Sequence, residues 1–241
     1  MNYIVFDLEW NQPFNKKTMV KTPVYLFGEI IQIGAVKMDE DYHILDTFHI
    51  IVSPKYYTKM HKSVSKLTKI TAETLQYGFS FPVAFRHFQK WCGEEFILFT
   101  WGRDDIGVLR SNMILHRMNT DWLPPICYDI QMIFDDQIAK EHRQISLTNA
   151  MEIIQKPIYE VHNALNDAKN TAVIFRCLDM KKGMEEYEKF EKEQKLSGKD
   201  AIETGVFIQT NYTIASMYSN PQFTNFYSMS SEMRCGSVSV Y

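Results

Sequence analysis

The stretch YIVFDLEW, residues 3–10, decides the fold of this chain. Its apolar residues predict an N-terminal β-strand, on which side chains two positions apart point to the same face. Asp7 and Glu9 therefore point together from the edge of a packed core. Two buried carboxylates cost several kcal/mol unless a cation compensates them, so the pair indicates a metal site. An isolated Asp-x-Glu is more often a solvated strand end, and the choice depends on further acidic residues.

Length and composition limit the class of protein. The 241 residues fit one large domain, or an ordinary domain with an extension. Hydrophobic residues make up 45% of the chain, which is enough for a substantial core and too many for a disordered chain. No apolar stretch approaches the ~20 residues that cross a bilayer, so we expect no membrane association. The cysteines stand alone, which favours reduced thiols and a cytoplasmic location. They are Cys92, Cys127, Cys177 and Cys235.

The formal net charge of −3 argues against a general nucleic-acid coat protein. It does not exclude an enzyme whose acidic residues bind metal ions while a local basic face binds phosphates. One segment, from Lys55 to Lys69, has no acidic residue and is rich in basic ones. These are Lys55, Lys59, His61, Lys62, Lys66 and Lys69. A phosphate-binding face and an ordinary solvated surface both remain open.

The order of the local patterns predicts an α/β domain with a mixed sheet. Strands are predicted at residues 3–10, 28–38, 44–52, 96–100 and 126–129. Helices are predicted at residues 65–74, 81–91, 105–116, 146–154, 164–180 and 185–195. The composition changes past Gly183. We therefore expect a domain at residues 1–182 and a C-terminal extension at residues 183–241, to which the sequence assigns no role.

A further acidic residue follows the strand at residues 96–100, where Gly102 turns the chain into a helix. Asp104 is the predicted N-cap of this helix, because an aspartate there satisfies free backbone N–H groups. Asp105 would begin the helix at the carboxyl end of the strand, where open α/β sheets gather their ligands. The plainer interpretation is that both residues only stabilise the helix start.

The last candidates lie in the segment HNALNDA, residues 162–168. Asn163 is a good N-cap, which places His162 in the preceding loop and Asp167 in the first turns of the helix. Both side chains can then approach one site from neighbouring positions. Taken alone, His162 would be a surface loop residue and Asp167 an exposed acidic residue.

In this order, the Asp-x-Glu, the strand-turn-Asp and the His-x₄-Asp resemble the DEDDh family of 3′–5′ exonucleases. The segment KLTKIT, residues 66–71, also resembles a segment of that family. Trp101-Gly102-x-x-Asp105 is most similar to the ERI-1-like and bacterial sporulation-inhibitor-like branch. The resemblance covers residues 1–180 or so. Four matched segments in the family's order are much more specific than any one of them.

The resemblance implies an RNase H-like fold, a five-stranded mixed β-sheet flanked by α-helices. It places four carboxylates around two divalent ions, Mg²⁺ or Mn²⁺, with His162 as the general base. These carboxylates belong to Asp7, Glu9, Asp105 and Asp167. Hard oxygen ligands suit such ions, and an imidazole titrates near neutral pH. Without metal, the carboxylates would repel one another and weaken the fold.

The resemblance also suggests contacts with the terminal nucleotide at Leu8, Trp10, Asn11 and Trp101. The two tryptophans would stack on bases, or would simply pack in the core. Asn11 and the neighbouring Gln12 would touch a phosphate or a sugar. A homodimer is compatible with the family but is not indicated by any residue.

We therefore expect a metal-dependent 3′–5′ exonuclease that acts on single-stranded nucleic acid, RNA in preference to DNA. The main alternative is a catalytically weak or silent nucleic-acid-binding or regulatory module on an exonuclease scaffold. The presence of all five catalytic residue types argues against that alternative. An RNase H-like endonuclease is disfavoured, because the late His-x₄-Asp is the exonuclease arrangement.

Overall fold

A computed structural model describes residues 1–203 of the chain, except the side chains of Lys16 and residues 195–203. Most of the predicted C-terminal extension therefore lies outside the described residues. The first compact unit spans Met1–Glu193. The boundary expected after residue 182 stays a prediction, and a helix from Met180 to Glu203 runs across it.

The sheet contains the five predicted strands and one short addition. The strands are β1 (Asn2–Asn11), β2 (Glu29–Met38), β3 (Ile44–Ser53), β4 (Phe79–Ser80), β5 (Phe96–Thr100) and β6 (Cys127–Asp129). Their order across the sheet is β4-β3-β2-β1-β5-β6. Pairing is antiparallel for β1 with β2 and β2 with β3, and parallel for β1 with β5 and β5 with β6. The predicted mixed α/β sheet is confirmed. The sixth strand, β4, is an edge of two residues that is too short to give a periodic pattern in the sequence.

Helices cover the sheet and lie close to the predicted positions. They are α1 (Lys62–Thr68), α2 (Ala72–Gln76), α3 (Phe81–Cys92), α4 (Asp104–Leu115), α5 (Ile130–Phe134), α6 (Leu147–Ile153), α7 (Ala164–Phe175) and α8 (Met180–Glu203). A short 3₁₀ turn (Lys16–Thr18) follows β1, and a π-helical turn (Asp135–Ala139) follows α5. None of the described helices is long and apolar enough to cross a membrane.

Two predicted helices are wrong in extent, for local reasons. The helix predicted at residues 65–74 is interrupted at Lys69, which takes a left-handed conformation with φ of 60°. Thr71 then caps α2 by accepting a hydrogen bond from the Thr74 N–H at 3.2 Å. The helix predicted at residues 164–180 ends at Phe175. Asp179 then caps the start of α8, because its Oδ1 accepts a hydrogen bond from the Lys182 N–H at 3.1 Å.

The core lies between the sheet and the helices, and α7 packs directly across β1 and β2. Val5, Phe99 and Phe175 are fully buried in one large apolar cluster. The approach of α7 depends on Gly34 in β2. A Cβ added at Gly34 would lie 2.1 Å from the carbonyl carbon of Ala164, the first residue of α7. A glycine is therefore required where the helix begins.

The close contact at Gly34 gives a stability test. Gly34→Ala is expected to lower the free energy of unfolding by at least about 2 kcal/mol, because the new methyl group meets backbone atoms that cannot rotate away. Gly107→Ala in α4 is the matched control, since a Cβ there would meet no atom within 4 Å among the described residues outside the neighbouring backbone of its own helix. That control is expected to raise the free energy by about 0.5–1 kcal/mol. Urea unfolding of both variants measures the difference, and equal stabilities would contradict the packing of α7 on Gly34.

Candidate metal centre

Three carboxylates converge where β1 meets the start of α7. One oxygen from each of Asp7, Glu9 and Asp167 lies within 4.8 Å of the others. The period of β1 puts the first two on one face, and the helix brings the third across that face. Glu9 and Asp167 are 4% and 8% exposed. The predicted convergence of the early pair with the late aspartate is therefore present in the structure.

Asp167 is held through its Oδ2 atom, whereas no partner for its Oδ1 atom lies in the described part of the chain. Its Oδ2 accepts a hydrogen bond from the His162 N–H at 2.8 Å. Its Oδ1 is buried and has no hydrogen-bond partner among the described residues. Buried polar atoms are nearly always paired, so this atom requires an explanation. A bound cation would supply the partner, since the Asp167 carboxylate converges with those of Asp7 and Glu9.

Asp105 lies beside this cluster and is not one of the three converging groups. It is 4% exposed, and its Oδ1 accepts a hydrogen bond from the Leu8 N–H at 2.9 Å. That N–H belongs to the residue between Asp7 and Glu9. The helix α4 begins at Asp104 after Arg103, which is the N-cap position. The prediction that Asp104 is the N-cap is therefore wrong by one residue, although Asp105 does face the first strand.

The pKa values of the acidic residues rise together. Burial raises the pKa of Asp7 well above its usual range, and three neighbouring carboxylates raise it further. Burial is also the main cause of the raised pKa of Asp105, followed by the charge of Asp104. Burial raises the pKa of Asp167 to about 6, against the opposing effect of the His162 N–H. The site is therefore destabilised when its carboxylates are ionised without a cation.

The donor set fits a divalent cation of the hard type. All of the converging ligand atoms are carboxylate oxygens, which Mg²⁺, Mn²⁺ and Ca²⁺ prefer over the soft ligands that select zinc or copper. The unpartnered Oδ1 of Asp167 is an independent sign of the same chemistry. The residues present therefore fit the metal centre that the sequence resemblance implies.

His162 lies in the loop before α7, as predicted. It takes a left-handed conformation with φ of 64°, which is uncommon for a residue other than glycine. Burial lowers the pKa of its imidazole, so the ring is neutral at neutral pH. The loop is fixed by Asn170, which is 0% exposed. The Asn170 amide donates to the Tyr159 carbonyl at 3.1 Å and accepts from the Tyr159 N–H at 2.8 Å.

The residues expected to contact a terminal nucleotide have other contacts in the structure. Leu8 is 3% exposed and Trp10 is 5% exposed. The Trp10 ring packs against Gly28, because a Cβ added at Gly28 would lie 2.3 Å from the Cδ1 atom of Trp10. The structure therefore places Trp10 in the core, which is the alternative left open by the sequence. Trp101 is half-buried, and its Nε1–H donates to the Ile145 carbonyl at 3.2 Å.

Asn11 organises the loop that follows β3 and leads into α1. Its amide donates to the carbonyls of Tyr57 at 2.6 Å and Lys59 at 3.0 Å. Its Oδ1 accepts a hydrogen bond from the His61 N–H at 2.9 Å. All polar atoms of this fully buried side chain are engaged, so the structure gives Asn11 a supporting role. The expected substrate contacts of Leu8, Trp10, Asn11 and Trp101 stay predictions.

Asp129 was not among the residues expected from the sequence, and it fixes the turn between β5 and α4. Asp129 is 6% exposed, and its Oδ1 accepts hydrogen bonds from the N–H groups of Gly102 at 3.0 Å and Gln131 at 2.9 Å. Burial raises its pKa to about 6. An aspartate at the end of a short strand is a typical N-cap, and that signal would have predicted α5. By holding Gly102, Asp129 helps to place Asp105 at the site.

The mixed sheet and the acidic centre beside it are those of a nuclease with an RNase H-like architecture. The family model RNase_T, described as exonuclease, matches residues 4–175. The chain therefore belongs to this exonuclease family, as its motifs predicted.

Known relatives agree with this assignment. The chain is 29% identical over 116 residues to the probable 3′–5′ exonuclease KapD of Bacillus subtilis (strain 168), a match that covers 48% of this chain and 54% of that protein. It therefore spans about half the length of this curated relative. The nuclease domain of 3′hExo, a DEDDh family member bound to rAMP, superposes with a TM-score of 0.59 at 23% identity. That match covers 72% of this chain and 88% of the other.

A second solved structure has the same fold. It is described as 3′-end specific recognition of histone mRNA stem-loop by 3′-exonuclease, with a TM-score of 0.61 and 22% identity. The match covers 72% of this chain and 79% of the other. These similarities establish the RNase H-like fold that was expected from the sequence.

Proposed function

We propose that this chain is a metal-dependent 3′–5′ exonuclease that hydrolyses phosphodiester bonds at the 3′ end of single-stranded nucleic acid. RNA is the favoured substrate over DNA. The convergence of Asp7, Glu9 and Asp167, with one oxygen of Asp167 buried and unpartnered, is the observation that carries this proposal. Membership of the exonuclease family supports it.

The four acidic residues would hold two divalent ions, Mg²⁺ or Mn²⁺. Asp7, Glu9 and Asp167 converge and would hold the ions, and Asp105, which lies beside them, would complete the set. When bound, the two ions would favour ionisation of the attacking water and stabilise the departing 3′ oxygen. The chain's own contribution is to hold these carboxylates close together in a largely buried setting, where their repulsion favours cation binding.

His162 would act as the general base. Its ring is neutral at neutral pH, because burial lowers its pKa, and a neutral imidazole can accept a proton from water. The contacts of Asn170 with Tyr159 and of the His162 N–H with Asp167 limit the movement of the loop. The base and a metal ligand are therefore linked directly through one hydrogen bond.

The basic segment from Lys55 to Lys69 supports a nucleic-acid substrate. Its lysines are exposed, and the buried Asn11 ties the backbone of this segment to the end of β1, two residues after Glu9. Positive charge beside the acidic centre would attract the phosphates of a strand whose 3′ end enters the site. Lys69 forms an ion pair with Glu160 and contributes less to this attraction.

The proposed preference for single-stranded RNA is supported by the substrates and ligands of related proteins. The 3′-exonuclease structure concerns a histone mRNA stem-loop, and the 3′hExo domain holds rAMP. Other matched structures are of Escherichia coli exonuclease I in complex with single DNA strands. Both RNA and DNA therefore occur among the matched structures, and the choice between them requires measurement.

A panel of 5′-labelled strands tests the proposed function. RNA and DNA, each single- and double-stranded, are incubated with Mg²⁺ or Mn²⁺, and Glu9→Gln serves as the matched variant because it keeps the size of the side chain. Progressive shortening of single strands, fastest for RNA, is expected from the wild type and not from Glu9→Gln. Full activity of Glu9→Gln would contradict the proposed site. Binding of strands without Mn²⁺ binding or cleavage would favour the silent regulatory module.

A further inference from the structure

We propose that Gln32, with its amide oriented by His49, is a positioning residue that fixes the start of α7 and thereby places Asp167 against Asp7 and Glu9. This inference rests on the proposed function, because it concerns the assembly of the same metal centre. Gln32 lies outside all of the family motifs that were identified in the sequence.

The strand register places Gln32 beside the acidic pair. Gln32 in β2 lies opposite Glu9 in β1, and Gly34 lies opposite Asp7. Directly opposed residues of two antiparallel strands point to the same face of the sheet. The side chain of Gln32 therefore emerges on the face that carries both carboxylates, and Gly34 leaves room on that face for the backbone of α7.

Gln32 bonds the first backbone N–H of that helix. The Ala164 N–H donates to the Oε1 atom of Gln32 at 2.9 Å. The first N–H groups of a helix have no partner within the helix, so each needs an acceptor from outside. The Asn163 Oδ1 atom accepts the hydrogen bond of the Asn166 N–H, and the Gln32 Oε1 atom accepts that of the Ala164 N–H. Gln32 is 2% exposed, which excludes water as an easy replacement.

His49 determines which end of the Gln32 amide faces the helix. The Nε2 atoms of Gln32 and His49 are 2.7 Å apart. Because Ala164 N–H is a donor, the amide oxygen must face it, and the amide N–H₂ group must then donate to His49. This arrangement requires an imidazole whose Nε2 atom carries no proton. His49 lies on β3 opposite Gly34, so two neighbouring strands, β2 and β3, hold the Gln32 amide in place.

The support acts on Asp167 through the helix backbone. Asp167 follows Ala164 by three residues, less than one helical turn, so a shift of the first residue moves the carboxylate with it. Its Oδ2 accepts a hydrogen bond from the His162 N–H in the loop that enters this helix, and no described residue bonds its Oδ1. The position of Asp167 therefore depends on how the start of α7 and the loop before it are held.

Binding of Mn²⁺, measured by calorimetry on the full chain, tests this inference with two variants of Gln32. Gln32→Leu removes the acceptor and is expected to weaken Mn²⁺ affinity by about 10- to 100-fold, the usual effect of removing a group that orients a metal ligand. Gln32→Glu keeps an oxygen facing Ala164, and its second oxygen can accept from His49 after a change of tautomer. Because it also adds negative charge beside the acidic pair, this variant is expected to bind Mn²⁺ at least as tightly as the wild type. The exchange rate of the Ala164 amide hydrogen is expected to rise in the leucine variant alone.

Asn112→Leu is the matched control for loss of a buried amide. Asn112 is 0% exposed and bonds the Ile30 N–H of the same strand at 3.2 Å, without any bond to α7. It is expected to lower stability while leaving Mn²⁺ affinity unchanged. Unchanged affinity in Gln32→Leu, or an equal loss in Asn112→Leu, would overturn the inference alone. A wild-type chain that binds no Mn²⁺ would overturn the proposed function and this inference with it.

Discussion

Replacement of Asp167 by asparagine is expected to reduce the rate of 3′-end hydrolysis by about 100-fold or more. The amide keeps the size of the side chain but removes the negative charge that a divalent ion would require. Metal ions supply several kcal/mol of charge stabilisation in such reactions, and each 1.4 kcal/mol or so corresponds to a factor of ten in rate. The initial rate of shortening of a labelled RNA strand, at saturating Mn²⁺, measures the effect.

Asp41→Asn is the matched control for this substitution. Asp41 lies in the exposed turn between β2 and β3, and the same change of charge there is expected to leave the rate unchanged. Thermal unfolding of both variants shows whether each remains folded. A rate within twofold of the wild type for a folded Asp167→Asn variant would remove this residue from the proposed metal set.

The metal-free protein is expected to lose stability as the pH rises from about 4 to about 7. The pKa of Asp167 is raised to about 6 in the folded state, and those of Asp7 and Asp105 are also raised. Unfolded aspartates ionise near pH 3.9, so the folded state holds protons that the unfolded state has already released. The stability contributed by these protons is present below the unfolded pKa and is lost as the pH passes the folded pKa.

The expected size of this loss is large for one site. For Asp167, a difference of about two pKa units corresponds to about 3 kcal/mol at neutral pH. Urea unfolding at pH 4.5 and pH 7, in EDTA, measures about 2 kcal/mol of this loss, because unfolded aspartates are already mostly ionised at pH 4.5. Asp167→Asn should show a smaller loss, which separates this residue from the histidines that titrate in the same range. Mn²⁺ should reverse the loss in the wild type. If the metal-free wild type and the metal-free Asp167→Asn variant both gained the same stability between pH 4.5 and pH 7, the expectation would be contradicted.

The parts of the fold and site that the sequence predicts are those with local causes. The alternation in β1 places Asp7 and Glu9 on one face, and that face is where they lie. Asn163 caps α7 as expected, because an N-cap is decided within four residues. The strand β5 has the predicted bounds, since a short apolar run between a glycine and a turn is clear in the sequence.

The parts that the sequence does not predict depend on distant partners. Gln32 looks like an ordinary polar residue, and Asn11 was expected to contact a nucleotide, yet both are buried and bond backbone groups far along the chain. Ala164, the partner of Gln32, is 132 residues away. The break at Lys69 was also missed, because Thr68 and Thr71 stabilise it with side-chain hydrogen bonds that periodicity does not reveal. Trp10 could equally have been exposed, and only the packing under Gly28 places it in the core.

The most direct test of the proposed metal-dependent 3′–5′ exonuclease is a time course with linear and circular single-stranded RNA, in Mn²⁺ and in EDTA. The proposed site requires that 5′-labelled linear strands shorten one nucleotide at a time in Mn²⁺, with a 3′-phosphate slowing the reaction. Circular strands should survive, and EDTA should stop all cleavage. Cleavage of the circle, or shortening that continues at the same rate in EDTA, would contradict the account.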